Sequence, residues 1–463
     1  MLALALSVVS SSFAGAVLAD RIHPGLSKIE KAGLGFLLAF GTQAWILQIL
    51  HAIGVPPGAT AHVAISILAG TAALAPYLRR AYRSSQYRLR LASDIRRISS
   101  TLPPARIGIL VTLAAISSAG AMCSPVLQWD AQGIWVGKAL GFIVADSLSG
   151  IVVGEHLHYP IGLPILMAGA LDLGGEPGVK VIGPLFAAAL AAVVLGSIDR
   201  RGTGWVGTLT SAAIVVAPFA LSYTFVAYAE LPMTAVYVVS SIYLIEYVRS
   251  SNRGALWLSA LLLGVTSLIR LEAPFLFAVN FAVLLFYGRV GRARNAVTYL
   301  AVFALAWGPW QIISRVVLGV DSGFTGLVLA PFEDIVRGEF DWPRVGAIAK
   351  YFLERAVFWE WWGLTFPLAA SGLIVLFFRD RQAGILLASL IAGNLLVQLY
   401  EYYSSVYLDV EIFGDKLHYF LESGFDRMTL HWAPLGIYGA GLAISTLRDR
   451  AGAAASTASM RPA

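Results

Sequence analysis

The chain has 463 residues, of which 58% are hydrophobic and 13% charged, with a formal net charge of +6 and a mean hydropathy of +0.73. That balance excludes a soluble globular domain, because apolar runs of membrane-spanning length recur from end to end. The single cysteine, Cys123, excludes an intramolecular disulfide framework and any cysteine-based zinc or iron–sulfur site.

In chain order, spans are expected near residues 1–19, 33–53, 61–78, 106–124, 178–198, 204–223, 231–248, 254–270, 272–287, 296–318, 363–378, 383–400 and 429–447, about thirteen in all. The runs are helix-length rather than alternating strands of a barrel, so the fold class is an all-α polytopic transmembrane helix bundle. The first run ends at Ala19 before Asp20 and has the look of a signal peptide, but it lacks the basic n-region such a peptide needs. It is read as a span with its N-terminus outside. From Arg79 to Arg106 eight arginines face one acid, Asp94, which makes that loop cytoplasmic. Counting from it, the basic turns at Arg200-Arg201, Arg249 to Arg253, Arg289 to Arg294, Arg379 to Arg381 and Arg448 to Arg450 fall on the same side.

The same alternation sends Asp130, Lys138, Glu155, His156, His158, Tyr159, Glu230, Arg270, Glu272, Asp426, Arg427 and His431 to the outer face. Ionisable groups at membrane depth persist mainly where they face a cavity and act there. Residues 125–177 form a long, mostly apolar first outer loop containing interfacial helices. Ala131 to Ala145 reads as a helix lying along the interface, with Trp129 and Trp135 as headgroup anchors. Lys138 then lies about 12 Å beyond Asp130, too far for a helical ion pair. Ile161 to Leu173, opened by Pro160 and Pro164, reads as a half-helix in the outer leaflet.

The ordered motifs WDAxxxWxxKA (from Trp129), HxxYPxxxP (from His156), YAELP (from Tyr228), IRLEAP (from Ile269) and DRxxLHxxPL (from Asp426) resemble bacterial GT-C glycosyltransferases. The likeness is to the protein mannosyltransferase-like group (glycosyltransferase family 39-like), with the lipid A aminoarabinose transferases and the galacturonosyl transferases of the lipopolysaccharide core. It covers 106–447, leaving 1–78 as accessory helices, 79–105 as a basic cytoplasmic loop and 448–463 as a cytoplasmic tail. The resemblance implies an inverting transferase in a bacterial inner membrane, its site facing the periplasm. The partners implied are a polyprenyl-phosphate-linked sugar donor, a lipid or glycan acceptor and membrane lipids, with no nucleic acid.

Carried over, Asp130 is the base that takes the acceptor's proton; the structural alternative is a helix N-cap. Arg427 is the first candidate to hold the departing phosphate, the alternative being an ion pair with Asp426 or an interfacial snorkelling role. Lys138, Arg270, His158 and Tyr159 are further substrate-binding candidates; several family members carry lysine where this chain has Tyr159. Glu230 is the second outer acid, either positioning the acceptor or capping its helix. Glu272 pairs most simply with Arg270, and His431 completes the substrate-binding set. Glu155, His156 and His158 form an incomplete zinc set, so no metal ligands are assigned and a divalent cation is left open as cofactor. The FWEWWG cluster at 358–363 reads as an interfacial aromatic belt. The competing function is a lipid or solute transporter or flippase, against which stand the absence of internal repeats and the gathering of polar residues at one face.

Overall fold

A computed structural model describes the chain except for Pro57, 84–103, Leu127, Asp146, 148–155, Thr203, 289–290, 321–324, Phe358, 408–413 and 460–463. Every described element is helical, as expected where no water is present to satisfy open backbone groups. The order begins with α1 (Leu2–Ile22), α2 (Lys28–Ala52), α3 (Ala59–Arg83) and α4 (Pro104–Cys123). The outer-loop helices follow, α5 (Ala131–Ala145) and α6 (Gly162–Lys180), then α7 (Ile182–Asp199), α8 (Trp205–Val216), α9 (Pro218–Thr224), α10 (Glu230–Ser250), α11 (Arg253–Thr266), α12 (Ala273–Tyr287) and α13 (Arg292–Val317). The chain closes through α14 (Thr325–Arg337), α15 (Trp342–Val357), α16 (Trp359–Trp362), α17 (Thr365–Arg379), α18 (Arg381–Ser405), α19 (Lys416–Leu430) and α20 (Ala433–Ser459).

Eight of these helices are long and apolar enough to cross a membrane, and α8 with α9 makes a ninth if that pair, bent by 71°, is one span. The remaining four expected spans are also helical. Three of them, α11, α12 and α17, have only 14, 15 and 15 residues, while α20 runs from its apolar half into Arg448 and Asp449. The interfacial reading of Ala131 to Ala145 meets a helix there, opened by one π-helical turn. The expected half-helix starts at Gly162 and breaks at Gly175, whose φ of +64° takes a left-handed conformation suited to glycine. Trp135 is a correction: it is 1% exposed and belongs to the core, whereas Trp129 is 56% exposed. Two amphipathic helices between spans, α14 and α15, were not anticipated.

The axis of the bundle is α10, in which only Glu246, Arg249 and Ser250 escape burial. A helix with no polar face is stable only when other helices surround it, and α7, α11, α12, α18 and α19 do so here. Its ends lie in two separate polar layers. At one end Glu246 accepts from Arg200 (2.5 Å) and His23 (2.8 Å), while Arg249 meets Asp380 at 2.5 Å. Arg106 pairs with Asp199 in the same layer. At the other end stands Glu230, about 24 Å away at 1.5 Å per residue, close to the thickness of a hydrocarbon core.

The first three helices are built into this frame. Ser27 and Glu30 form a capping box at the start of α2, with Glu30 N to Ser27 Oγ at 3.2 Å and Ser27 N to Glu30 Oε2 at 2.8 Å. The buried Glu30 carboxylate also accepts from Arg200 Nε at 2.9 Å and Tyr243 Oη at 3.1 Å. Small residues bring α1 against α2: a Cβ on Gly35 would stand 2.4 Å from the Ser12 carbonyl oxygen, the close approach typical of membrane helix pairs.

Gly35→Ala is therefore expected to lower the thermal midpoint in detergent, by the equivalent of about 1 to 3 kcal/mol of overpacking. Gly108→Ala, where an added Cβ meets nothing within 4 Å, should leave it unchanged or raised. Cysteines at exposed Ser250 and Ser423, in a Cys123→Ala background, should be labelled from opposite sides of sealed vesicles. Labelling of both from one side would show that the two polar layers do not face different compartments.

Candidate functional site

The outer-loop and helix-end residues converge in one chain of alternating charge. Asp130, just before α5, accepts from Arg427 Nη2 of α19. Arg427 Nε lies 3.6 Å from Glu230 Oε1 at the start of α10, and Glu230 Oε1 accepts from Arg270 Nη1 at 2.5 Å. Arg270 Nε then donates to Glu272 at 2.9 Å. Five residues from four parts of the sequence thus form a single network of three carboxylates and two guanidiniums. Removing one partner of such a buried pair costs about 3 to 5 kcal/mol, because the other charge is left uncompensated.

Two of the local alternatives are replaced by longer-range contacts, and one is kept and extended. Asp130 makes no side-chain cap to α5, so its carboxylate is not used as an N-cap. Arg427 does not pair with Asp426, which instead accepts from Trp362 Nε1 at 2.9 Å and has Arg355 at 4.0 Å. Trp362, at 1% exposed, is consequently a core residue rather than part of an interfacial belt. Glu272 and Arg270 do pair, but Arg270 also reaches Glu230, which joins that rim pair to the buried acid.

Aromatic rings flank the network. Arg427 Nε donates to Tyr223 Oη at 3.2 Å, and its guanidinium lies 5.0 Å from the Tyr228 ring centre. Burial works against the charge on Arg427, yet Glu230, Tyr223 and Asp130 outweigh it and hold the guanidinium firmly protonated. The Tyr159 ring stands between Lys138 Nζ at 5.7 Å and Arg270 at 5.9 Å. Burial, with Glu272 adding to it, pushes the Tyr159 hydroxyl pKa up. Lys138 is fully buried and donates to the His156 carbonyl oxygen at 2.7 Å. Its desolvation pulls the ammonium down to about 7. His158 is drawn down to about 4, first by burial and then by His156 and Lys138, so it is neutral at physiological pH; its carbonyl accepts from Trp310 Nε1 at 3.2 Å.

His431 is 1% exposed, and neither ring nitrogen has a hydrogen-bond partner among the described residues. Tyr223, Tyr228 and Glu401 went unassigned from sequence. Tyr228 opens the YAELP motif and Tyr223 lies five residues before it, yet a tyrosine there carries no local sign of a site role, and Glu401 lies in no motif. Among the described residues no group of three His, Cys, Asp or Glu is placed to hold a metal ion; Glu155 lies outside those residues. Asp130, Glu230 and Glu272 are each bound to an arginine, and no step below runs through a metal. Comparison with protein families, curated proteins and solved structures found no match.

The lowered Lys138 pKa has a measurable sign. Between about pH 7 and the ordinary lysine range the unfolded chain holds a proton that the folded chain has released, so this residue makes stability rise with pH across that window and contributes no slope below it. The gain in thermal midpoint from pH 7 to pH 10 should therefore be smaller in Lys138→Met than in the wild type. An equal gain in both would show that Lys138 stays protonated in the fold.

Proposed function

We propose that the chain is an inverting GT-C-type glycosyltransferase. It moves a sugar from a polyprenyl-phosphate carrier to a lipid-linked or cell-envelope glycan acceptor on the outer face of a bacterial inner membrane. With α11, α12, α17 and α20 counted beside the bent pair and the eight long helices, its spans would number about thirteen. The observation that carries this reading is the Asp130–Arg427 pair. These two groups, 297 residues apart in sequence, meet at a mouth where their side chains keep 19% and 23% exposure, and they are the two kinds of group the transfer requires.

The pair also supplies a way to begin the reaction. The donor's phosphodiester competes with Asp130 for the planar donors of Arg427. Asp130 is then released from Arg427 and free to take a proton. The acceptor oxygen bonds to the anomeric carbon as its proton passes to Asp130. The bond from that carbon to the phosphate oxygen breaks, and its electron pair stays on the departing phosphate, now a dianion. Arg427 and the Tyr223 hydroxyl face that growing charge, so they favour the transition state over the bound donor. One displacement inverts the anomeric configuration.

Asp130→Asn should lower transfer by about 10²- to 10⁴-fold, the usual loss on removing a general base. Arg427→Ala should lower it sharply, and Arg427→Lys should restore only part. The assay uses purified protein, synthetic polyprenyl-phosphate sugars and host glycolipid extract, with released polyprenyl phosphate as readout. Movement of intact lipid across vesicles without release from any donor would replace the transferase by a transporter.

A further inference from the structure

Around the alternating network stand buried polar atoms that find no hydrogen-bond partner among the described residues, those of His431 among them, one helical turn beyond Arg427. They are Glu230 Oε2, Glu401 Oε1 and both ring nitrogens of His431. The grouping is electrostatic as well as positional: His431 senses Arg270, Glu272 and Glu230, and Glu401 senses Glu272 and Arg270. Most buried polar groups in folded proteins are satisfied, and each exception calls for a reason. Glu230 is fully buried and His431 is 1% exposed, so open solvent does not supply the missing partners.

We propose that Glu230, Glu401 and His431 line the subsite for the transferred sugar ring, and that the ring they accept bears hydroxyls but no carboxylate. This rests on the transferase reading and adds to it the class of sugar. A hydroxyl both donates and accepts, which suits a wall that offers carboxyl oxygens and an imidazole with one donor and one acceptor nitrogen when neutral. A second phosphate would find acceptors where it needs donors. The charges nearby also discriminate. Arg270 is committed to Glu230 and Glu272, Arg427 to Asp130, and Lys138 to the His156 carbonyl. A uronic acid's carboxylate would meet Glu230 and Glu272 with these cations already engaged, so like-charge repulsion rejects it. His431 follows Arg427 by one helical turn, so a ring seated against it keeps its anomeric carbon on the side of the base and the phosphate holder.

The test is binding of short-chain polyprenyl phosphate, alone and carrying a neutral hexose or a hexuronic acid, to purified full-length protein. Bare polyprenyl phosphate should bind in an Arg427-dependent manner. Failure of that arm overturns the transferase reading rather than the subsite. The neutral hexose should tighten binding and the uronic acid should not. His431→Ala and Glu401→Gln should each weaken the hexose donor about tenfold, the scale of one lost hydrogen bond, while leaving bare polyprenyl phosphate unchanged. Glu401→Gln keeps the shape and replaces one carboxyl oxygen by an amide donor, so its effect reads whether that position accepts from a sugar hydroxyl. If the sugar adds no affinity, if uronic and neutral donors bind alike, or if a folded Glu401→Gln binds every ligand as the wild type does, the assignment is wrong.

Discussion

Charge alternation is the constraint on which this bundle depends. Three acids and two arginines at the rim of an apolar protein cannot stay ionised singly, since desolvation of an isolated charge is far too costly. Ordered as Asp130, Arg427, Glu230, Arg270 and Glu272, each cation lies between two anions. That order also fixes which helices meet, because the five side chains come from the α5 start, α19, the α10 start and the turn between α11 and α12. The late DR motif can therefore serve the early WD motif only if the intervening helices have assembled.

The helices preceding residue 84 gain a role from the same logic at the other end of α10. Glu30 brings a buried carboxylate against Arg200 and Tyr243, and His23 reaches Glu246 and Asn252. Within these helices Ser7 and Ser66 share a hydrogen bond of 2.5 Å, and Ser10 donates to the Ser66 carbonyl at 2.9 Å. Such bonds contribute modestly in a membrane, typically about 0.6 kcal/mol and at most about 2. The ion pairs beneath them make the three helices part of the bundle's frame rather than an appendage to it.

How much of this was legible beforehand follows from which signals are local. Apolar run length marked the helical stretches, since a helix satisfies its own backbone. Three of those stretches, α11, α12 and α17, form helices of only 14 or 15 residues, because run length also counts flanking residues outside the helix. The residues of the network were legible as unusual charges in apolar surroundings. Their partners were not, because Asp130 to Arg427 and Glu230 to Arg270 are tertiary pairings. The local alternatives, an N-cap at Asp130 and an Asp426–Arg427 pair, are the contacts that sequence neighbours suggest and packing replaced. Trp135 and Trp362 were misjudged for a related reason: an aromatic near a helix end fits an interfacial belt or a core equally well, and only the neighbouring helices decide. Glu401 carried no motif at all.

The double anchoring of α10 has a mechanical consequence. Alternating access requires one group of helices to rock against another about a central site, and each rocking motion must slide or tilt the axial helix relative to its neighbours. Here that helix is held at one end through Glu230 to Arg270 and Arg427, and at the other through Glu246 and Arg249 to Arg200, His23 and Asp380. A rod pinned at both ends resists tilt, because tilting it would separate buried charges at both ends together. The clamp is suited to hold the charge network at the Glu230 end of α10 in fixed register with the ion pairs at the Glu246 end.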